Sequence, residues 1–159
     1  MAIEVRALEA RDHAWVADFL LTQAGSTRVV SRGRLHYTDQ LPGFLALEDG
    51  TPGALLTYRV ADRELEVVTL HAAQPGRGLG SRLLDATREQ ARQLGCRRLW
   101  LITTNDNEPA IQFYRRRGMN LVAVHRHAIR EARKLKPEIP LTGVGGTPIE
   151  DEIEFEFRL

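Results

Sequence analysis

Pro75-Gly76-Arg77-Gly78-Leu79-Gly80 separates two stretches of different hydrophobic period. Before it, Glu64 to His71 alternates as a strand does, with Leu65, Val67 and Thr69 on one face and Glu66, Val68 and Leu70 on the other. After it, Leu79, Leu83, Ala86, Gln90 and Leu94 recur near helical spacing, with Leu84 and Ala91 alongside and Gly95 in the position of a C-terminal cap. Cys96 to Thr103 then reads as a second strand, apolar at its centre. Two strands joined through a helix, with no hairpin turn, form a β-α-β crossover and run parallel with a right-handed connection. Glycines at alternate positions leave backbone N–H groups open on one side, and the helix beginning there turns its positive end to the same spot. A phosphate or pyrophosphate suits such a turn. The same turn also occurs with no ligand, so the motif alone leaves both readings open.

Composition narrows the classes. The 159 residues suit one domain, 1–159, and 43% apolar with 27% charged residues is ordinary for a globular chain. A net charge of +1 supplies no field to recruit nucleic acid or an anionic membrane. Arg115-Arg116-Arg117 falls within a helical pattern and reads as a solvated face. The single cysteine, Cys96, rules out an intramolecular disulfide, fits a reducing compartment, and opens an apolar strand with no histidine beside it, so it reads as buried rather than nucleophilic. No apolar run reaches the ~18 residues of a membrane span, and no metal-ligand spacing is present. The expected location is cytoplasmic.

Along the remainder, Ile3 to Arg6 reads as a strand and Ala10 to about Leu21 as a helix. Val29 to Ser31 and Arg34 to Tyr37 suit either two short strands or a substrate-side loop. Phe44 to Glu48 and 54–61 form a hairpin around Asp49-Gly50-Thr51-Pro52-Gly53, and 64–71 adds a third antiparallel strand. Pro109 suits a first helical turn capped by Asn107 or Asp106, with the helix running to Arg117 before Gly118. Leu121 to His127 is a further strand and 137–148 a Pro/Gly loop. In the last strand Ile153, Phe155 and Phe157 alternate with glutamates, a pattern for burial on one face. The expected fold class is α/β, with a mixed, mostly antiparallel sheet and helices on both faces.

A dinucleotide fingerprint fails on the spacing of its glycines and on the missing acid near Arg98, and no Gly-Lys-Ser/Thr follows for a Walker loop. The glycine loop and the later Asn107-Glu-Pro-Ala110-Ile-Gln-Phe-Tyr114-Arg-Arg-Arg-Gly118-Met119 together resemble the Gcn5-related N-acetyltransferase (GNAT) superfamily, most strongly from Glu64 to Met119. The resemblance implies a twisted sheet with a splayed parallel strand pair and acetyl-CoA as cofactor. It implies that Arg77, Gly78, Leu79, Gly80, Ser81 and Arg82 surround the pyrophosphate, that main-chain groups of Thr69, Leu70 and His71 line the pantetheine, and that Asn107, Ala110 and Tyr114 approach it from the helix. Pro75 stands where the family pattern has Gln or Arg, with Gln74 one position earlier, which puts the path of the loop in question.

By the same resemblance Tyr114 is the proton donor to the leaving sulfur and Glu66 the general base, with its same-face neighbour Glu64 able to serve instead. His71 is the second choice, for its imidazole pKa and its place near the strand end, and a water chain is the remaining route. The implied reaction is direct transfer of an acetyl group to a primary amine of a small molecule or peptide; a coenzyme A-binding module without transfer is the competing class. Neither nucleic acid nor membrane is an expected partner, and a monomer or homodimer is the expected assembly. Glu64, Glu66, Asp151 and Glu152 are placed to converge on a cationic acceptor. Residues 128–148 either close over the acceptor side or form a helix that only packs or dimerises.

Overall fold

A computed structural model describes residues 2–159. The chain runs β1 (Ile3–Ala7), α1 (His13–Ala24), β2 (Arg28–Ser31), β3 (Arg34–Tyr37), β4 (Gly43–Glu48), β5 (Thr51–Ala61), β6 (Glu64–Ala72), α2 (Leu79–Gln93), β7 (Arg98–Thr104), α3 (Glu108–Arg116), β8 (Asn120–His125), α4 (Ala128–Leu135) and β9 (Glu152–Arg158). Seven strands form one sheet in the order β1-β4-β5-β6-β7-β9-β8. All neighbours are antiparallel except β6 and β7, which flank the crossover through α2. The doubtful stretch 28–37 is a hairpin, β2 with β3, forming a separate two-stranded sheet.

Helices cover both faces. On one, Val16, Phe19 and Leu20 of α1 pack on Leu55. On the other, the main core joins Leu79, Leu83, Leu84 and Ala91 of α2 to Leu56, Tyr58, Leu65 and Val67 of the sheet. The buried stripe of α2 continues through Thr87 to Ala91, each four residues on from the last, rather than through Gln90 to the expected Leu94, which is 51% exposed. Gly95 does take the left-handed conformation after the helix, at φ 74°.

Strand β6 departs from simple alternation. Thr57 pairs with Thr69 but Tyr58 pairs with Val67, so Val68 is one residue too many. The bulge flips the faces beyond it. Leu70 and Ala72 therefore join Leu65 and Val67 on the α2 side, whereas Thr69 turns to the other face with Glu66, where its Oγ1 lies 2.6 Å from that of Thr57. The reading that grouped Thr69 with Leu65 and opposed it to Leu70 is thus corrected. In the same place β7 leaves: its last pair with β6 is Val67↔Leu101, and Ile102 to Thr104 pair with β9 alone. The parallel strands are splayed from that point on.

The last strand is also buried more deeply than its pattern implies. Because β9 enters between β7 and β8, Glu152 and Glu154 are covered along with Ile153, Phe155 and Phe157. Arg98 compensates by donating to Glu64 (3.0 Å), Glu154 (2.8 Å) and Glu156 (3.1 Å), and His125 lies 2.9 Å from Glu154. No helix among the described residues is long and apolar enough to cross a membrane. Arg98→Met leaves Glu154 largely desolvated without its guanidinium, Glu64 keeping Arg97, and is expected to lower unfolding free energy by roughly 2–4 kcal/mol in urea titration. A loss under ~1 kcal/mol shows that the network is a surface-type one.

Candidate active site

Past the last β6–β7 pair, a cavity of about 590 Å³ opens on the α2 side, between Leu70 and Ala72 of β6, the glycine loop and α3. Gly76 and Gly78 take left-handed φ values of 85° and 80°, which a side chain would strain, and so shape the loop ahead of α2. Gly80 packs beside the Phe113 ring, where a Cβ would meet it at 3.4 Å, an ordinary contact distance. Of the residues expected around a cofactor, Leu70, Arg77, Gly78, Leu79, Gly80, Ser81, Ala110 and Tyr114 line this cavity. Thr69, His71, Arg82 and Asn107 are not in its wall. Asn107 instead caps α3, its Oδ1 accepting from the Ala110 N–H at 3.3 Å. Arg77 reaches away to Glu48, Nη2 to Oε1 at 2.7 Å.

Arg116 and Arg117 also face the cavity, though the run containing them reads in sequence as a solvated face. Arg117 donates to Ser81 Oγ at 2.8 Å and stands over the Phe113 ring at 5.7 Å. Only their spacing on the helix with Ala110, Phe113 and Tyr114, at i+3, i+4 and i+7, could have revealed this. Tyr114 itself is buried against Phe113 and Phe155, with ring centroids at 5.4 and 6.0 Å. Burial pushes its phenol up to about 12, so the hydroxyl keeps its proton at neutral pH.

Glu66 lies on the opposite face of the sheet. It lines a second, smaller chamber of about 210 Å³ between β6 and β7, roofed by the β2–β3 hairpin and α4. Ser31 Oγ donates to one carboxylate oxygen at 2.6 Å, and His36 Nε2 stands 3.8 Å from the other. Burial raises the Glu66 carboxyl to about 7 in spite of the Ser31 hydroxyl, and burial lowers the His36 imidazole to about 4, leaving that ring neutral. Glu152 is in the same wall, tied to Arg32 Nη1 at 3.1 Å. The other two acids expected there lie elsewhere: Glu64 binds Arg97 and Arg98, and Asp151 accepts from the His127 N–H. His71 pairs with Leu55 on the α1 side and lines neither chamber, and burial lowers its imidazole.

The C-terminal segment closes this chamber. Ile129 of α4 is in its wall and packs with Ala132, Ile149, Val30 and Ile139. Lys136 Nζ donates to the Arg28 carbonyl at 2.8 Å, Arg28 pairs with Glu138, and Arg133 holds the Ile139, Pro140 and Ile149 carbonyls. The β7–α3 turn serves both chambers. Asn105 and Asp106 bind the backbone of Glu150, Asp151 and Val144 in the returning loop, while Asn107 caps the helix that carries Tyr114.

A family comparison bears on this arrangement. The model of the acetyltransferase (GNAT) family matches residues 7–119, more than half the chain. The chain belongs to the GNAT family. An uncharacterised Bacillus subtilis protein, YdhI, is 37% identical over 141 residues, 88% of each chain. Among solved structures, an IAA acetyltransferase from Bacillus cereus superposes with a TM-score of 0.77 at 16% identity, over 99% of this chain and 100% of the other. An acetyltransferase of Bacillus subtilis in complex with CoA gives 0.76 at 16% identity, over 99% of both. The splayed parallel pair is thus the GNAT fold, and the bulge at Val68 and the hairpin that supplies Ser31 and His36 are what the family pattern alone left unread. Val68 sits in an unbroken apolar run, and Ser31 lies 35 positions from the carboxylate that it bonds.

Ser31→Ala removes a donor that favours the ionised carboxylate. The Glu66 resonance in a carboxyl-detected NMR titration is expected to move through its midpoint near pH 7 in the native chain and at higher pH in the variant. An unchanged midpoint shows that the hydroxyl does not act on Glu66.

Proposed function

We propose that this chain N-acetylates a small primary amine with acetyl-CoA, the coenzyme entering on the glycine-loop side of the parted strands and the amine on the other. One observation carries the reading: a protonated phenol and a loop suited to phosphate lie on one face of the gap, and a buried carboxyl of near-neutral pKa on the other. Family membership and the likeness to a CoA-bound acetyltransferase support it.

The residues present fit the coenzyme. The left-handed loop glycines and the N-terminus of α2 suit a pyrophosphate, and Arg117 at Ser81 adds positive charge, a contribution that Arg77 lends first to Glu48. Pro75 lacks an N–H, but Gly76 to Ser81 retain theirs. Beyond Val67 the edge of β6 has no strand beside it, so main-chain groups of Thr69, Leu70 and His71 suit an amide-bearing arm added like a strand. Ala110 is small where that arm runs along α3. When bound, acetyl-CoA supplies an activated acyl thioester.

An alkyl ammonium has a pKa of ~10 and cannot attack until it loses a proton. Glu66, with a pKa of about 7, is matched to accept that proton at neutral pH. Tyr114 holds a proton on Oη up to a pKa of about 12 and donates it to the departing sulfur. The chain needs no nucleophile of its own, because bringing the two reactants together supplies much of the rate. Cys96 remains buried with its thiol pushed up by that burial.

Tyr114→Phe is expected to lower kcat by roughly 10²-fold with the Kd for acetyl-CoA changed by less than about twofold, since the ring still packs. Equal kcat in both proteins reduces Tyr114 to a packing role. For Glu66→Gln the sign follows from the base being active when ionised. Native kcat/KM climbs to about pH 7 and levels, while the variant keeps rising towards the amine pKa of ~10. Identical profiles assign the base elsewhere.

A further inference from the structure

Resting on the transferase reading, we infer that the acceptor is a compact monoamine with an apolar body and no anionic group. The chamber at Glu66 sets the size. Its volume of about 210 Å³ lies below the ~300–1,000 Å³ of pockets for drug-sized ligands.

The walls set the chemistry. Val29 and Val30 of the hairpin, Val68 of β6, Ile102 of β7 and Ile129 of α4 give the space an aliphatic side, with the Ser31, Thr103 and Thr104 hydroxyls beside the two carboxylates. Glu66 and Glu152 are both within the wall and under 5% exposed, so any charge they meet is also out of water. Glu152 is already satisfied by Arg32, through Nη1 at 3.1 Å and the backbone N–H at 3.3 Å. Glu66 has the Ser31 hydroxyl on one oxygen only, and the other faces a neutral imidazole nitrogen beyond hydrogen-bond distance, itself without a partner. One carboxylate oxygen is therefore available, and it serves one ammonium.

Other acceptor classes fail on what they would leave unpaired. No lysine, arginine or histidine is in the chamber wall among the described residues. An amino acid would bring its carboxylate, without a cation, beside two others in low dielectric. A diamine would press its second ammonium against aliphatic carbon or compete with Arg32 for Glu152. The roof prevents easy widening, because Lys136 and Glu138 fasten the hairpin to the α4 segment.

The test uses the full chain at fixed acetyl-CoA and measures thiol release with isobutylamine, valine, 1,4-diaminobutane and a pentapeptide beginning with valine. Isobutylamine is expected to show kcat/KM at least about tenfold above each of the others, the ratio that ~1.4 kcal/mol of discrimination gives. Ile129→Trp, which fills the chamber, is expected to cut isobutylamine turnover at least about tenfold while calorimetry gives an unchanged Kd for acetyl-CoA. Preference for valine, the diamine or the peptide overturns the inference and leaves the transferase reading standing. So does an Ile129→Trp enzyme of native activity. Binding of acetyl-CoA with no thiol release from any of the four overturns the transferase reading itself.

Discussion

The parting of β6 from β7 after Val67 and Leu101 is the constraint on which the rest depends. At the paired end, Arg98 holds Glu64 on β6 and two glutamates on β9, so three strands are clasped by one guanidinium. At the other end the extra residue Val68 bends β6 and reverses which of its side chains face the helices. A fully paired parallel sheet would have buried both edges and separated the two faces. Here the gap leaves a main-chain edge of β6 with no strand beside it.

The acidic residues of this region show how selectively charge is compensated. Glu64, Glu152, Glu154 and Glu156 each have an arginine within salt-bridge distance. Among the described residues Glu66 has none, only a hydroxyl and a neutral histidine. Burying an uncompensated carboxyl costs stability in its charged form, and the molecule carries that cost at one position where its neighbours avoid it.

Much of the architecture is legible in the order of periodicities. The crossover, the hairpin at 49–53 and both helices around the loop follow from spacing, because each depends on contacts between near neighbours in the chain. What escapes is decided at a distance. Alternation cannot reveal the bulge, since Val67 and Val68 are equally apolar, yet it determines which face Leu70 and Thr69 occupy. The glutamates of β9 look like a solvated edge until the strand is seen between β7 and β8. In the site, the loop glycines and Tyr114 announce themselves through a local motif, whereas Arg117 and Ser31 acquire meaning only from partners 36 and 35 positions away. Glu64 and Asp151 fail the converse test: close in sequence to the acids of the chamber, they answer to other partners.

The roof over the Glu66 chamber joins segments from opposite ends of the chain, with the Lys136–Arg28 contact spanning 108 positions. Closing so long a loop has an entropic cost that is met only when the intervening sheet already holds the two segments near each other. The roof therefore depends on the sheet being in place, while the glycine loop is framed by the contiguous β6-α2-β7 unit. The two cavities are in this way built from chain segments of very different separation. Changes in the outlying segments can reshape the Glu66 chamber without touching the residues that line the glycine-loop cavity.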